Sequence, residues 1–350
     1  MKKIFVNGYG SIGSRIASFI ADDPEVTLIG VGKYSADKRV DVANSRGFDV
    51  YVPEDRTEKF VGKKIAGTIR QAVRESDLVI DASPSGMGYE NKKNLYDSEE
   101  CRVIYQGGET IQGDNSVSQT LFNSRTNYDS ALNADHVMQG SCNVTGMGRV
   151  LKPIQEKYNE FIKRFDVTLV RRWADLEQTE KEIPDTIEWT VNPHHQDDVK
   201  ATINQDIPLF LRAIKVPTRQ MHLHIMDIRF QNITPKFDEF LDIFKDEYGV
   251  AVLWTANGTR DVREYAQSMK FSFSDTNMIH IHANMLSCAQ DTLQLMYSDD
   301  QTGIVIPENH ILMQAMLFGK TRQQATKYTE SLFHMDEKKR MLEKHFAKTS

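Results

Sequence analysis

The sequence predicts an α/β protein. An N-terminal Rossmann-like, doubly wound parallel sheet should be followed by an α+β catalytic domain whose sheet is mostly antiparallel. Three observations predict it. Short apolar runs alternate with helical patterns through the first part of the chain. A glycine-rich turn stands directly after the first of those runs. Beyond residue 160, strand signals dominate and helical patterns are fewer. Strand–helix alternation implies crossover connections between parallel strands, whereas strands in close succession pair as antiparallel neighbours.

Residues 4–6 read as a strand, and residues 11–21 as a helix with Ile12, Ile16, Phe19 and Ile20 on one side. Strands follow at 26–31, at 77–81 before the turn residues Ser83-Pro84-Ser85-Gly86, and at 102–105 before Gln106-Gly107-Gly108. A helix is predicted over 147–163 and a strand over 166–170. A long strand-like stretch covers 221–230, with further strands at 250–254, 271–273, 278–283 and 292–297. Residues 238–246 and 259–268 look helical. The tail (309–318, then 321–346) is helical and charged, and is expected to pack back on the first domain. The expected domains are 1–140 (dinucleotide-binding), 141–304 (catalytic) and 305–350 (C-terminal helices).

The chain has 350 residues, 40% hydrophobic and 26% charged, enough for two domains with a sizeable core. Its net charge of -6 without a dense basic run argues against nucleic acid or an anionic membrane surface as partner. No apolar run is long enough to span a bilayer, and the three apolar residues near the N-terminus are too few for a signal peptide. Three cysteines, Cys101, Cys142 and Cys288, fit a reducing cytoplasm better than a disulfide framework.

Gly8-Tyr9-Gly10-Ser11-Ile12-Gly13 is a G-x-G-x-x-G between a strand and a helix. The first glycine makes the tight turn, and the second lets backbone approach a pyrophosphate. The third permits close helix–sheet packing, with the helix N-terminus toward the phosphates. NAD preference would place a carboxylate about 20 residues on, at the end of the second strand. Gly30-Val31-Gly32-Lys33-Tyr34-Ser35 offers none, and Lys33 can pair with a 2′-phosphate. This favours NADP, with NAD as a further possibility. The plain alternative for Lys33 is a solvated surface lysine.

Cys142 stands in Ser141-Cys142-Asn143-Val144-Thr145-Gly146, after Gln139-Gly140 and before a helical pattern. A thiol at a helix N-terminus meets partial positive charge and unpaired N–H groups, which favour thiolate and can hold an oxyanion. Cys101 and Cys288 sit in less polar surroundings and read as structural. In Met221-His222-Leu223-His224-Ile225 the histidines share one strand face, and Leu223 and Ile225 are expected to point into the core. Either imidazole suits proton transfer. His194 and His195 follow Asn192-Pro193 on a loop and can donate to a phosphate. Arg171 and Arg172 at a strand end can clamp phosphate or carboxylate, unless they pair with Asp175 or Glu177.

On these residues the chain resembles the archaeal type of phosphorylating glyceraldehyde-3-phosphate dehydrogenase. The shared pieces are the segment 7–13, Gln106-Gly107-Gly108-Glu109, Ser141 to Gly146, Leu151-Lys152-Pro153, Val170-Arg171-Arg172, His194-His195, Val216-Pro217-Thr218 with Met221 to His224, and Ile306-Pro307-Glu308-Asn309. They span nearly the whole chain in family order. The resemblance implies a cytosolic homotetramer using NADP or NAD, which converts glyceraldehyde 3-phosphate and inorganic phosphate to 1,3-bisphosphoglycerate, and the reverse. It also implies Cys142 as nucleophile and His222 as catalytic histidine, with His224 the competing base. Ser141, Cys142, Asn143, His194 and His195 are implied as substrate contacts. Ser11, Ile12, Gly108, Arg172 and Gln301 are implied as cofactor contacts. The chain departs from the family pattern at Trp173, where a small residue is usual, in the acidic stretch 175–190, and around Gln301.

Two other readings are open. A semialdehyde dehydrogenase would share the cofactor domain and the cysteine chemistry. A metal protein could use His222 with His224, His280 with His282, or His194 with His195, but no cysteine or carboxylate completes a regular spacing, and no metal is expected.

Overall fold

β1 (Lys2–Asn7) carries Ile4, Phe5 and Val6, all fully buried, because a parallel strand is covered on both faces. A computed structural model describes every residue except 107, 177, 192–193, 204–205 and 349–350; the side chain of Val191 is likewise outside it. The described chain divides into two units. One comprises Met1–Phe122, Tyr128–Ser141 and Glu308–Ala325, and the other Asn123–Asn127, Cys142–Pro307 and Thr326–Ser350.

In the first unit β1 is joined by β2 (Val26–Gly32), β3 (Val50–Val52), β4 (Gly67–Thr68), β5 (Leu78–Asp81), β6 (Arg102–Tyr105), β7 (Leu121–Phe122) and β8 (His136–Gln139). They form an eight-stranded sheet in the order β4-β3-β2-β1-β5-β6-β8-β7, parallel throughout. The order reverses between β1 and β5, and in such a sheet the crevice for a ligand opens beyond the strand ends at that point. Polar groups brace the spot. Asn7 Nδ2 donates to Tyr96 Oη at 2.6 Å, and Tyr96 Oη and Asn91 Nδ2 donate to Asp81 Oδ2 at 2.5 and 2.9 Å.

The second unit holds β9 (Ile162–Arg172), β10 (Glu188–Val191), β11 (Leu209–Val216), β12 (His222–Phe230), β13 (Val250–Leu253), β14 (Ile279–His282), β15 (Ser287–Ala289) and β16 (Thr292–Asp299). The order is β10-β11-β9-β12-β16-β14-β13, with β15 on β16. Only β11–β9 and β13–β14 are parallel among these described pairs; the rest are antiparallel. The fold class read from the sequence is the one observed.

Three local expectations change. The helix predicted over 147–163 runs Cys142–Tyr158, so Cys142 is its first residue, and Lys163 already lies in β9. Residues 271–273 form no strand, because positive φ at Lys270, Phe273 and Ser274 folds the segment into a 3₁₀ turn. Along β12 the buried face carries His222, His224, Met226, Ile228 and Phe230, while Leu223 and Ile225 are only half-buried. The histidines, not the aliphatic residues between them, point into the core.

Candidate active site

The site is built in the second unit from two strands and a helix. β12 and β16 pair antiparallel with His222 opposite Asp299 and His224 opposite Tyr297. Strand alternation puts all four on one face, in a two-by-two patch. Each is at most 1% exposed. Cys142 Sγ lies 3.6 Å from His222 Nδ1, and the reactive atoms of Cys142, His222 and Asp299 fall within 4.8 Å of one another. Arg172 Nη1 donates to His222 Nε2 at 3.2 Å. That nitrogen is therefore the acceptor of the neutral ring, and Nδ1–H faces the sulfur.

Asn143 links the remaining histidines. His224 Nε2 donates to Asn143 Oδ1, and Asn143 Nδ2 donates to His195 Nε2, both at 3.1 Å. His195 Nδ1 stands 3.8 Å from Asp198 Oδ2, and the exposed His194 ring leans on His195 with centroids 3.9 Å apart. His224 also stacks on Tyr297, centroids 4.3 Å apart and nearly coplanar.

Burial governs the charges here. Desolvation above all pushes the Cys142 thiol up, against the opposing pull of Arg172, Arg171 and the Asn143 backbone N–H. The sequence expectation of a helix-stabilised thiolate therefore does not hold at rest: the loss of water outweighs the helix terminus, and the sulfur waits as a thiol. Desolvation, reinforced by Arg172 and the neighbouring histidines, keeps His222 well below the usual imidazole range. It also holds His195 at about 4 and His224 at about 3.

His280 and His282, on β14, are held at about 3 and about 4 by burial, with the Ser298 hydroxyl between them and Thr276 on His280. These neutral buried rings carry an acid-stability prediction. Each folded value lies below the unfolded 6.5, so the unfolded chain binds more protons as pH falls. The stability is complete above the unfolded value and is lost on the way down, at about 1.4 kcal/mol per pH unit for each ring. Circular dichroism against pH should show steep unfolding between about pH 6 and 4. A flat profile over that range would contradict the buried neutral assignment.

The arginine pair divides. Arg172 binds Asp175 Oδ1 at 2.6 Å as well as His222; Glu177, the other anticipated partner, lies outside the described residues. Arg171 has a buried Nε with no hydrogen-bond partner among the described residues, and burial lowers its pKa. Gln301 Oε1 accepts from the Met221 N–H at 2.9 Å, and its Nε2 donates to Asp175 Oδ1 at 3.3 Å. Trp173 lies under the Lys215 ammonium at 5.4 Å. Cys101 is buried, with its thiol pushed up to about 12.

In the first unit Gly8, Gly10, Ser11, Ile12 and Gly13 form the turn and the start of the helix Ser11–Asp22. Gly8 sits at φ 119°, and a Cβ there would collide with the Ala82 carbonyl. A Cβ at Gly13 would collide with the Gly8 carbonyl oxygen. Gly10 differs: a Cβ there would meet only Arg39, at 3.7 Å, and no side chain caps the helix start. This open, backbone-lined helix terminus fits a dinucleotide pyrophosphate. Lys33 is buried, and its ammonium lies 2.8 Å from Asp37 Oδ2. Gly108, at φ 115°, accepts from Ser85 Oγ at 2.6 Å; Gly107 lies outside the described residues.

A scan of family models finds no match. Individual proteins do match. Glyceraldehyde-3-phosphate dehydrogenase of Halobacterium salinarum is 38% identical over 280 residues, 77% of this chain and 80% of that protein. The chain belongs to the glyceraldehyde-3-phosphate dehydrogenase family. Relatives of the same name from Methanothermus fervidus and Pyrobaculum calidifontis are 33% and 34% identical, covering 91% of this chain and 94% and 92% of theirs. Within the family frame, Asp299 and Tyr297 are the residues that sequence reading missed. The alternation of β16 runs two residues past the predicted end at 297, and carrying it on would have put both beside the histidines. No described helix is long and apolar enough to cross a membrane.

Proposed function

We propose that this protein catalyses the reversible, phosphorylating oxidation of D-glyceraldehyde 3-phosphate to 1,3-bisphosphoglycerate with NADP or NAD, through a thiohemiacetal and thioester on Cys142. The observation that carries the reading is the Cys142 Sγ to His222 Nδ1 approach of 3.6 Å, with Arg171 and Arg172 beside the pair.

The sulfur gives up its proton and bonds to the aldehyde carbon; the carbonyl oxygen takes a proton and becomes the thiohemiacetal hydroxyl. Nδ1–H of His222 stabilises sulfur as it becomes anionic. The one lone pair of the neutral His222 ring is on Nε2, so His222 is the proposed base for that hydroxyl with Nε2, released from Arg172, as the atom that takes the proton. The nicotinamide, when bound, supplies the hydride acceptor that makes a thioester of the thiohemiacetal. Inorganic phosphate attacks the acyl carbon, the C–S bond breaks, and the acyl phosphate leaves. Arg171 suits the substrate phosphate, since its Nε lacks a partner among the described residues. The exposed His194 is a proposed contact beside it, and the buried neutral His195 is proposed to act through Asn143 rather than as a donor to phosphate. Ser141 and Asn143 flank the nucleophile as substrate contacts.

The cofactor would be held by Gly8, Gly10, Ser11, Ile12 and Gly13, with Gly108, Arg172 and Gln301 as further contacts. Lys33 is the proposed 2′-phosphate partner, and Asp37 orients it in the meantime. Lys33→Ala should raise Kd for NADP about tenfold and that for NAD little, by fluorescence titration. An equal loss for both would refute the role. The working enzyme is proposed to be a cytoplasmic homotetramer. Half-buried Leu223 and Ile225, and the exposed Trp189 (78%) and Phe210 (52%), are apolar surface of the kind that subunits cover.

Steady-state assays with glyceraldehyde 3-phosphate, with and without phosphate and against both cofactors, test the proposal. Turnover should need phosphate. Turnover with acyl-phosphate-type semialdehydes but not with glyceraldehyde 3-phosphate would move the enzyme to the semialdehyde class.

A further inference from the structure

We infer that Asp299 holds a proton in the resting enzyme and donates it to Nδ1 of His224, which makes it a positioning residue for Asn143 and His195. The assignment concerns the same site, and its importance for turnover rests on the proposed dehydrogenase reading.

The argument follows the donors from one end. The Asp198 carboxylate faces His195 Nδ1 at 3.8 Å and favours a proton there. His195 Nε2 is then an acceptor, so the Asn143 amide turns its Nδ2 toward it, at 3.1 Å. The amide oxygen is left for His224, whose Nε2 must donate to it, also at 3.1 Å. A neutral imidazole has one proton, so Nδ1 of His224 is a bare lone pair. The atom facing it is Asp299 Oδ2, at 3.4 Å. Two lone pairs, both fully buried, repel unless a proton lies between them.

Neither Asp299 oxygen, nor His224 Nδ1, has a hydrogen-bond partner among the described residues, and Oδ2 and Nδ1 are each the nearest candidate for the other at 3.4 Å. A buried carboxylate in that position would be left without a donor, which is costly; a carboxylic acid supplies its own. The groups around it are mixed. Arg149 from the helix Cys142–Tyr158 and Arg172 from β9 favour the anion, while Asp300 on the adjoining turn opposes it. His222, His224, Tyr297 and the Cys142 thiol are neutral at rest. Burial and Asp300 prevail and push the Asp299 carboxyl well above its ordinary range. The consequence reaches the sulfur. With Asp299 neutral, Cys142 meets no fixed negative charge from it on becoming anionic, and the Asn143 amide beside the sulfur is locked in one orientation.

Asp299→Asn keeps an N–H for His224 and is permanently neutral; Asp299→Ala removes the donor. The infrared difference spectrum of wild type minus Asp299→Asn, near pH 7, should show the C=O stretch of a protonated carboxyl. Iodoacetamide should alkylate Cys142 in Asp299→Asn at a rate within about threefold of wild type, because no negative charge has been lost. Asp299→Ala should raise KM for glyceraldehyde 3-phosphate about tenfold, more than it lowers kcat, and Asp299→Asn should recover most of that loss. Absence of the carboxyl band, or alkylation about tenfold or more faster in Asp299→Asn, would mean that Asp299 is a carboxylate and would overturn the assignment. The spectrum and the alkylation need neither substrate nor turnover, so their failure is distinct from failure of the dehydrogenase reading.

Discussion

Cys142→Ala is expected to lower aldehyde oxidation by at least about 10⁴-fold and to leave nicotinamide-cofactor binding nearly intact. The size follows from the role. The sulfur forms the bond that carries the acyl group, and the other described cysteine of the second unit cannot replace it: Cys288 on β15 pairs with Leu293, toward the opposite end of β16 from Asp299 and His222. Alanine has nothing to acylate, so the route through a thioester closes rather than slows. Cofactor affinity should survive because the glycine turn from Gly8 to Gly13 belongs to the first unit. A fluorescence titration beside the rate assay separates the two quantities. Substantial residual turnover would contradict covalent catalysis.

The second large effect is expected at His222. Replacing it by Asn should cost about 10²–10³-fold in kcat with a smaller change in KM. Asn can still donate toward the sulfur, but it cannot take up a proton. The same replacement at His224 should act differently, because that ring touches Asn143 and Asp299 rather than sulfur. Its cost should fall more on KM. Since burial keeps His222 neutral through the neutral range, it is in the proton-accepting form at every pH where the fold is stable. Wild-type kcat should therefore show no loss of base between about pH 8 and 6, above the acid unfolding. Equal kcat losses in the two variants would remove the distinction.

Much of the site was legible because its residues announce their chemistry. A cysteine among Ser141, Asn143 and Thr145, and histidines two apart on a strand, are polar groups at positions with a defined local geometry. The parallel sheet was legible from its buried runs, such as Leu78 to Asp81, which only a strand covered on both faces tolerates. Other features depend on what the chain meets in space. Sequence alternation gave two faces for β12 but could not say that the histidine face was the buried one; the helix from Cys142 decides that. β11 was missed because Arg212 and Lys215 interrupt its apolar residues, although Leu209, Leu211 and Ala213 are buried on alternate positions. Asp299 sits in Ser298-Asp299-Asp300-Gln301, which reads as a turn. Only its pairing opposite His222 reveals it. The protonation of Cys142 was misjudged for the same reason: a helix terminus is visible in sequence, whereas desolvation is not.

Acylation of the Cys142 sulfur can be observed directly. Enzyme mixed with glyceraldehyde 3-phosphate and oxidised cofactor, with phosphate withheld, should accumulate the acyl adduct on the peptide containing Cys142, and adding phosphate should discharge it. Peptide mass spectrometry that finds Cys142 unmodified while reduced cofactor is formed would contradict the account.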